Sequence, residues 1–404
     1  MFGPYAEVLR TPGARAFSAA GLIARLPMSM LALGIVLAVT LSGGSYGPAG
    51  VAAGLATAGH AAASPVQARA ADRVGQRRML LPLLFGHGIA IVVLVAVVDR
   101  AAVGEAPFAL LAAAALLTGA TFPQIGALVR ARWAGLHSAT GRLHTAYAWE
   151  SALDEVAFVV GPIVVVVLAT NVHPVAGLVA VLAFTLSGGF AFASLRSTQP
   201  PIRPAMATGH RDRLPVATLT WTVAAFVFMG AIFGIAELST VAVADEFGAT
   251  AAAGPALAVF AAGSLIAGLA AGAVHWKTSP RRRFVIGQAA LAAAVLPLAF
   301  AGNLPILFAA IFVAGFAIAP TLIAGFSMIQ AVVPASRVTE GLAWASTAIT
   351  VGAAAGAAAG GPIIDRIGGS DTYLVAFGCG VLATLACLVG VSVDRPARDV
   401  PEPV

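Results

Sequence analysis

An ionised side chain inside a long apolar run is expensive, so it is kept there for a function or for a partner. This chain has few of them. Arg25 lies about eight residues into the apolar run 17–42, a depth of about 12 Å at 1.5 Å per residue. Glu155 lies at a similar depth in the run 147–170, with Asp154 one residue shallower. Glu150 stands four residues before Asp154, on the same helical face. The depths predict a cluster of Arg25 with Asp154 and Glu155. Two acids against one arginine leave a negative charge over, which favours proton uptake by one carboxyl. The chemistry on offer is a proton carried from one side of a barrier to the other. A static ion pair that fixes two helices is the competing reading.

Glu237 stands near the far end of the run 217–243, placed either to bind a cation or a proton or to reach outer water. His60 and His87 lie inside apolar runs. An imidazole titrates near neutral pH, but a neutral ring bonded to a neighbouring helix is the plainer reading of both. Thr118, Thr121 and Gln124 surround Pro123, and Thr321 follows Pro320. Proline removes a donor and frees a carbonyl, and broken segments at membrane depth face protein or a cavity rather than lipid. These residues predict a substrate site with Gln124 and Thr321 as polar contacts and Met28, Met30, Phe122 and Phe233 as apolar lining. Such a lining favours a lipophilic or weakly cationic compound over a sugar phosphate or a nucleotide.

Other chemistry has no foothold. There is no Gly-x-x-x-x-Gly-Lys-Ser/Thr loop, and Lys277 is the single lysine. No His-Glu-x-x-His run, metal-spaced cluster or Gly-x-Ser-x-Gly elbow occurs. The reading is not an enzyme and has no cofactor or metal. Cys379 and Cys387 share one apolar run and read as small packing residues.

The elements that hold these residues follow from composition. Of 404 residues, 59% are hydrophobic and 10% charged, with mean hydropathy +0.94. Soluble domains are about 45–50% apolar and about 25% charged. A soluble enzyme, a disordered chain and an ordinary nucleic-acid binder are therefore excluded. Twelve runs are long enough to cross a bilayer: 17–42, 48–70, 79–98, 106–129, 147–170, 174–195, 217–243, 253–275, 284–302, 305–330, 341–363 and 372–392. They are apolar on all sides, which predicts helices rather than barrel strands. The first run is too long for a cleavable signal, contains Arg25 and lacks a clear cleavage site.

With the N-terminus in the cytoplasm, 20 of the 23 Lys and Arg residues fall inside, leaving Arg25, Arg100 and Arg366. Trp133, Trp149, Trp221, Trp276 and Trp344 all map to the cytoplasmic interface, where an indole N–H stays wet. The charged, proline-bearing segment 196–216 divides the chain into residues 1–195 and 217–404, each with six runs. The expected fold is all-α, twelve transmembrane helices in two pseudo-symmetric bundles.

The halves repeat. An offset of 204 aligns Gly50 with Gly254, Gly59 with Gly263, Arg77 with Arg281 and Arg78 with Arg282. Pro123 matches Pro320, and Gly161-Pro162 matches Gly361-Pro362. Internal repeats of this kind mark secondary transporters.

The run Asp72-Arg73-Val74-Gly75-Gln76-Arg77-Arg78, between the second and third helices, resembles the loop signature of the major facilitator superfamily. Ala68 replaces the leading glycine of that signature, and the second-half copy is degenerate, with Trp276 and Ser279 at the Asp and Gly positions. The resemblance extends over the chain through helix count, halves and loop placement. It implies that Asp72 caps or salt-bridges the cytoplasmic end of the eleventh helix in the outward-facing state. Arg73 and Arg77 would bind carboxylates or lipid phosphates beside it, with Gly75 completing the gate. The Gly-Pro-x-x-Gly-Gly ending of drug antiporters is only partly present, since Ile163-Val164-Val165-Val166 follow Pro162.

The resemblance and the residues together predict a secondary active transporter exporting small lipophilic or weakly cationic compounds in exchange for protons. Arg25, Asp154, Glu155 and Glu237 would couple the proton. Its partners would be the small-molecule substrate, protons and the lipid bilayer, with no nucleic acid, and it would act as a monomer. It would sit in the inner membrane with both termini cytoplasmic. The Ala-, Arg- and Gly-rich, Lys-poor composition suggests a high-GC, actinobacterial genome. Uptake of a metabolite by symport or uniport, a non-transporting membrane sensor or scaffold, and lipid movement between leaflets remain alternatives.

Overall fold

The computed structural model describes residues 3–102, 104–137, 142–202, 216–273, 278–333 and 338–393. Trp276, Lys277, Arg337 and most of the segment 196–216 lie outside them. Every regular element among the described residues is helical. A short helix, Gly3–Leu9, precedes the membrane-length elements. These are α1 (14–41), α2 (Tyr46–Val74), α3 (Gln76–Ala102), α4 (Phe108–His137), α5 (Leu143–Asn171) and α6 (Ala176–Ser194) in the first bundle. The second has α7 (Val216–Glu246), α8 (Ala253–Ala273), α9 (Pro280–Phe300), α10 (Leu304–Val332), α11 (Val338–Ile367) and α12 (Gly369–Val393). Ten of them are apolar and long enough to cross a membrane on their own, and the bent α1 makes eleven. The twelfth, α2, has 29 residues, about 44 Å at 1.5 Å per residue.

Prolines set the breaks. Pro27 lies in a 3-10 turn, Leu26–Ser29, and α1 bends by 43° directly after it, at Met30. Phe122, directly before Pro123, is extended and splits α4 into Phe108–Thr121 and Ile125–His137. In α10 the break falls at Phe316 and Ala317, and Pro320 sits in the first turn of the second piece, where its missing N–H costs nothing.

Small residues bring the helices together, as they do where lipid removes any hydrophobic drive between helices. Gly119 of α4 lies against the Ala56 backbone of α2, and Gly188 of α6 against Ala20 and Ala24 of α1. Gly230 and Gly352 interlock α7 with α11, and Gly263 and Gly315 do the same for α8 and α10. A Cβ at any of these would meet backbone.

The two ends of the molecule differ. Define the upper end as the one with the α1–α2 and α11–α12 turns, and the lower end as the one with the α2–α3 turn. Toward the upper end, one apolar core runs across both bundles, joining Leu37, Ala49 and Val166 to Leu238, Val241, Leu257 and Ile364. At the lower end of the first bundle, the core of Phe17, Leu80, Trp133 and Phe192 draws on that bundle alone. The bundles are welded above and separately packed below.

Candidate functional site

Arg25 closes the straight part of α1 just before the Pro27 turn. It is buried, and its Nε donates to the Gly21 carbonyl at 3.1 Å. One guanidinium nitrogen donates to Asp154 Oδ1 at 2.8 Å and the other to Glu150 Oε2. Arg130 of α4 donates to the other oxygen of Asp154 at 2.7 Å. Glu150 is fully buried, and its second oxygen accepts from Ser18 Oγ and Trp133 Nε1, both at 2.7 Å. Trp149 Nε1 donates to Ser18 at 3.0 Å. The result is a lower-depth network of two cations and two carboxylates spanning α1, α4 and α5. Its formal charge is zero.

This changes the expected cluster. Arg25 meets Asp154, but its other partner is Glu150, not Glu155. Residues 150 and 154 stack on one face of α5, whereas 155 is rotated by about 100° from 154. Glu155 is half-buried and makes no ion pair among the described residues. The expected surplus negative charge is absent too, because Arg130, counted among the cytoplasmic-side arginines, reaches in and balances it. Nor does Trp133 keep its N–H wet; it is fully buried, with its N–H on Glu150.

A second polar network lies where α4 breaks. Gln67 of α2 donates to the freed carbonyls of Ala120 and Phe122, at 3.1 and 3.0 Å, and accepts from the Gln124 N–H at 3.1 Å. One side chain thus caps both ends of the break. The Gln124 amide reaches His60 Nε2 at 3.1 Å and Ser64. His87 Nδ1 faces the Thr118 carbonyl at 3.1 Å. Phe122 is buried, with its ring 5.1 Å from that of His60 and 5.5 Å from that of His87.

The other expected lining residues divide. Met28, in the α1 turn, is exposed, and Phe233 of α7 is half-buried. Phe122 packs inside the first bundle instead of lining a cavity. Thr321 is fully buried; its hydroxyl donates to the Ala317 carbonyl, and Gly287 of α9 packs against it. A neighbouring helix, which the chain order does not reveal, claims each of these two. Glu237 of α7 is half-buried, one turn beyond Phe233, and makes no ion pair among the described residues.

In the signature loop, Asp72 and Arg73 are exposed and make no ion pair among the described residues. The side chains at the lower start of α11, residues 338–340, lie outside the described set. Gly75 has φ +89°, and a Cβ there would lie 2.8 Å from Gln199 Nε2. The left-handed turn and the close approach both require glycine. The variable position, Gln76, is buried: it donates to the Leu128 carbonyl at 3.0 Å and accepts from Arg132 Nε at 2.9 Å. Arg132 stacks over the Phe192 ring and donates to the Phe192 and Leu195 carbonyls and to Thr198. The signature turn is thereby tied to the end of α6.

Sequence alone does not single out Glu150, Arg130, Ser18 and Gln67 as site residues. The four-residue spacing of 150 and 154 is the one signal that points to Glu150.

A family model described as Major Facilitator Superfamily matches residues 17–303 and 220–404. No curated protein sequence matches the chain. Among solved structures, an auto-inhibited peptide transporter of the POT family aligns with TM-score 0.73 at 12% identity, covering 97% of this chain and 98% of its own. A bacterial homologue of the iron transporter ferroportin, in an inward-facing state, aligns with TM-score 0.71 at 15% identity, covering 95% and 98%. A mutant form of the nucleoside transporter NupG aligns with TM-score 0.71 at 12% identity, covering 93% and 99%.

Proposed function

The chain belongs to the major facilitator superfamily, and from that premise we propose that it exports small lipophilic or weakly cationic compounds in exchange for protons, by alternating access. It is a multi-pass membrane protein and a transporter, not an enzyme. The observation that carries the proposal is that its membrane-depth carboxylates are of two kinds. Glu150 and Asp154 are neutralised by Arg25 and Arg130. A proton on either would strand a buried cation, so they hold helices rather than carry protons. Glu155 and Glu237 have no cationic partner among the described residues. A carboxyl without a partner at membrane depth gains most by taking a proton or a cation.

In this account Glu237 is the exchange site. A cationic compound and a proton compete for one carboxyl, so each leaves when the other arrives. Glu155 serves the proton on the first bundle. Met28, Phe233 and Gln124 line the path, and Asp72, Arg73 and Arg77 engage α11 when the lower end closes. The lower end faces the cytoplasm, with both termini, in the inner membrane, and the protein works as a monomer. The upper weld then makes this an inward-facing state, in keeping with the fold likeness to a neighbour solved in that state. The neighbours' titles name iron, peptides and nucleosides, so they select no substrate class.

The test is thermal stabilisation of the purified protein at two pH values by tetraphenylphosphonium, ethidium, dipeptides and nucleosides. A cation that binds Glu237 stabilises more at the higher pH, where no proton competes, and Glu237→Gln removes that difference. Stabilisation by a nucleoside or peptide alone, equal at both pH values, overturns the proposal in favour of metabolite uptake.

A further inference from the structure

The upper weld has one feature that neither the charge network nor the signature loop uses. α2 begins at Tyr46 with backbone N–H groups that no carbonyl within the helix can satisfy, those of Tyr46, Gly47 and Ala49, Pro48 having none. Two of them are taken by the other bundle. Tyr46 N–H donates to Asp365 Oδ1 at 2.9 Å and Gly47 N–H to Asp365 Oδ2 at 2.6 Å. Asp365 stands near the upper end of α11. The Tyr46 hydroxyl faces Asp245 of α7, whose Oδ1 accepts from Thr250 Oγ1 at 2.6 Å. One acid of the second bundle therefore grips the first turn of α2, and a second faces the same turn.

The backbone is arranged to allow it. Gly47 leaves room for the carboxylate, since a Cβ there would lie 2.8 Å from Asp365 Oδ2. Below it Gly50 rests on Ala357 and Gly361, and Gly54 on Ala354 and Ala358. Gly361 in turn lies against the Tyr46 carbonyl. The α2–α11 seam is thus a stack of small residues topped by a two-point anionic clasp.

The related seam on the other side of the molecule, α5 with α8, lacks the clasp. There Gly254 packs on the Pro162 carbonyl at a Cβ distance of 2.6 Å, but the residue three beyond Pro162 is Val165, where Asp365 stands three beyond Pro362. Among the described residues, one seam is packing alone. The other is packing plus two charge-assisted hydrogen bonds, which are the strong kind and lie where the helix dipole favours an anion.

We propose that Asp365, seconded by Asp245 through Tyr46, is a gating residue that holds the upper end shut, and that opening to the upper side requires its release from the α2 N-terminus. The inference rests on alternation between the bundles and on neither proton coupling nor the direction of transport, so it can fail or stand apart from the exporter reading.

The experiment is a distance distribution between spin labels on Glu105→Cys and Gly302→Cys, in the upper loops of opposite bundles, with Cys379 and Cys387 replaced. A Cβ at Gly302 meets nothing within 4 Å, so the label fits there. Full-length protein in nanodiscs is compared as the otherwise native chain, Asp365→Asn and Tyr46→Phe. Asparagine keeps the shape but loses the charge and one acceptor oxygen. Asp365→Asn is expected to raise the ratio of long to short distances roughly tenfold, the factor for losing a charge-assisted bond. Tyr46→Phe is expected to move it the same way by less. Long-to-short ratios indistinguishable from the native chain in both variants overturn the proposal, as does a rise in Tyr46→Phe alone.

Discussion

Replacing Glu150 by glutamine tests the charge network at its most buried point. The native cluster holds Arg25 and Arg130 against Glu150 and Asp154, two charges of each sign. Glu150→Gln leaves two cations on one carboxylate. Arg25 is 2% exposed and Glu150 0%, so water cannot take over. Breaking a buried pair by removing one partner costs about 3–5 kcal/mol. Glutamine still accepts from Ser18 and Trp133, which places the loss near about 3 kcal/mol. At about 2.1 cal/mol/K of unfolding entropy per residue over 404 residues, this is a fall of roughly 3–4 °C in Tm. The assay is thermal unfolding of the purified protein in one detergent, followed by tryptophan fluorescence. The double variant Arg25→Gln/Glu150→Gln restores neutrality, one cation against one acid, and is expected to regain a good part of the loss. Glu155→Gln breaks no ion pair among the described residues and is expected to stay within about 1 °C of the parent. A Glu150→Gln protein that melts with Glu155→Gln, or a double variant that is the sum of its singles, would refute the reasoning.

Further perturbations have equally definite outcomes. Gln67→Ala strips the cap from both carbonyls of the α4 break and is expected to cost about 1–3 kcal/mol, read as lower Tm and faster hydrogen exchange at Ile125–His137. Gly75→Ala places a Cβ on a left-handed residue against Gln199, and a loss of about 1–3 kcal/mol should appear in the same melt; full stability would mean the turn is free to relax. Gly119→Ala drives a methyl into the Ala56 backbone, which cannot yield like a side chain. That variant should fail to give monodisperse protein, whereas Gly302→Ala should behave as the parent.

What sequence reveals here divides along a physical line. Helix count and bundle boundaries depend on hydropathy summed over about 20 residues, and such sums tolerate local error. The apolar runs 147–170 and 217–243 fall inside helices Leu143–Asn171 and Val216–Glu246. The site depends on helical phase and on reach. Depth alone puts Asp154 and Glu155 beside Arg25, but one residue of rotation decides which acid faces α1, and it selects Glu150. Arg130 has a long side chain near the membrane edge, so loop counting treats it as surface while its guanidinium lies on Asp154. Trp133 misleads for the same reason in reverse: an aromatic near a helix end reads as keeping its N–H wet until a buried acceptor is known. Thr321 and Phe122 flank prolines, and the breaks exist, yet Gly287 and the two histidines occupy the space on which those side chains would have opened. Asp365 lies over three hundred residues from the turn it grips, and no local pattern joins the two.

On the proposed mechanism Glu237, which makes no ion pair among the described residues, trades a cation for a proton. The direct measurement is proton release on binding, read by a pH indicator when tetraphenylphosphonium is added to the purified protein in weak buffer near neutral pH. Release by the native chain that vanishes in Glu237→Gln, while Glu155→Gln retains it, is the predicted result. Cation binding with no proton released, or with the same release from Glu237→Gln, would contradict it.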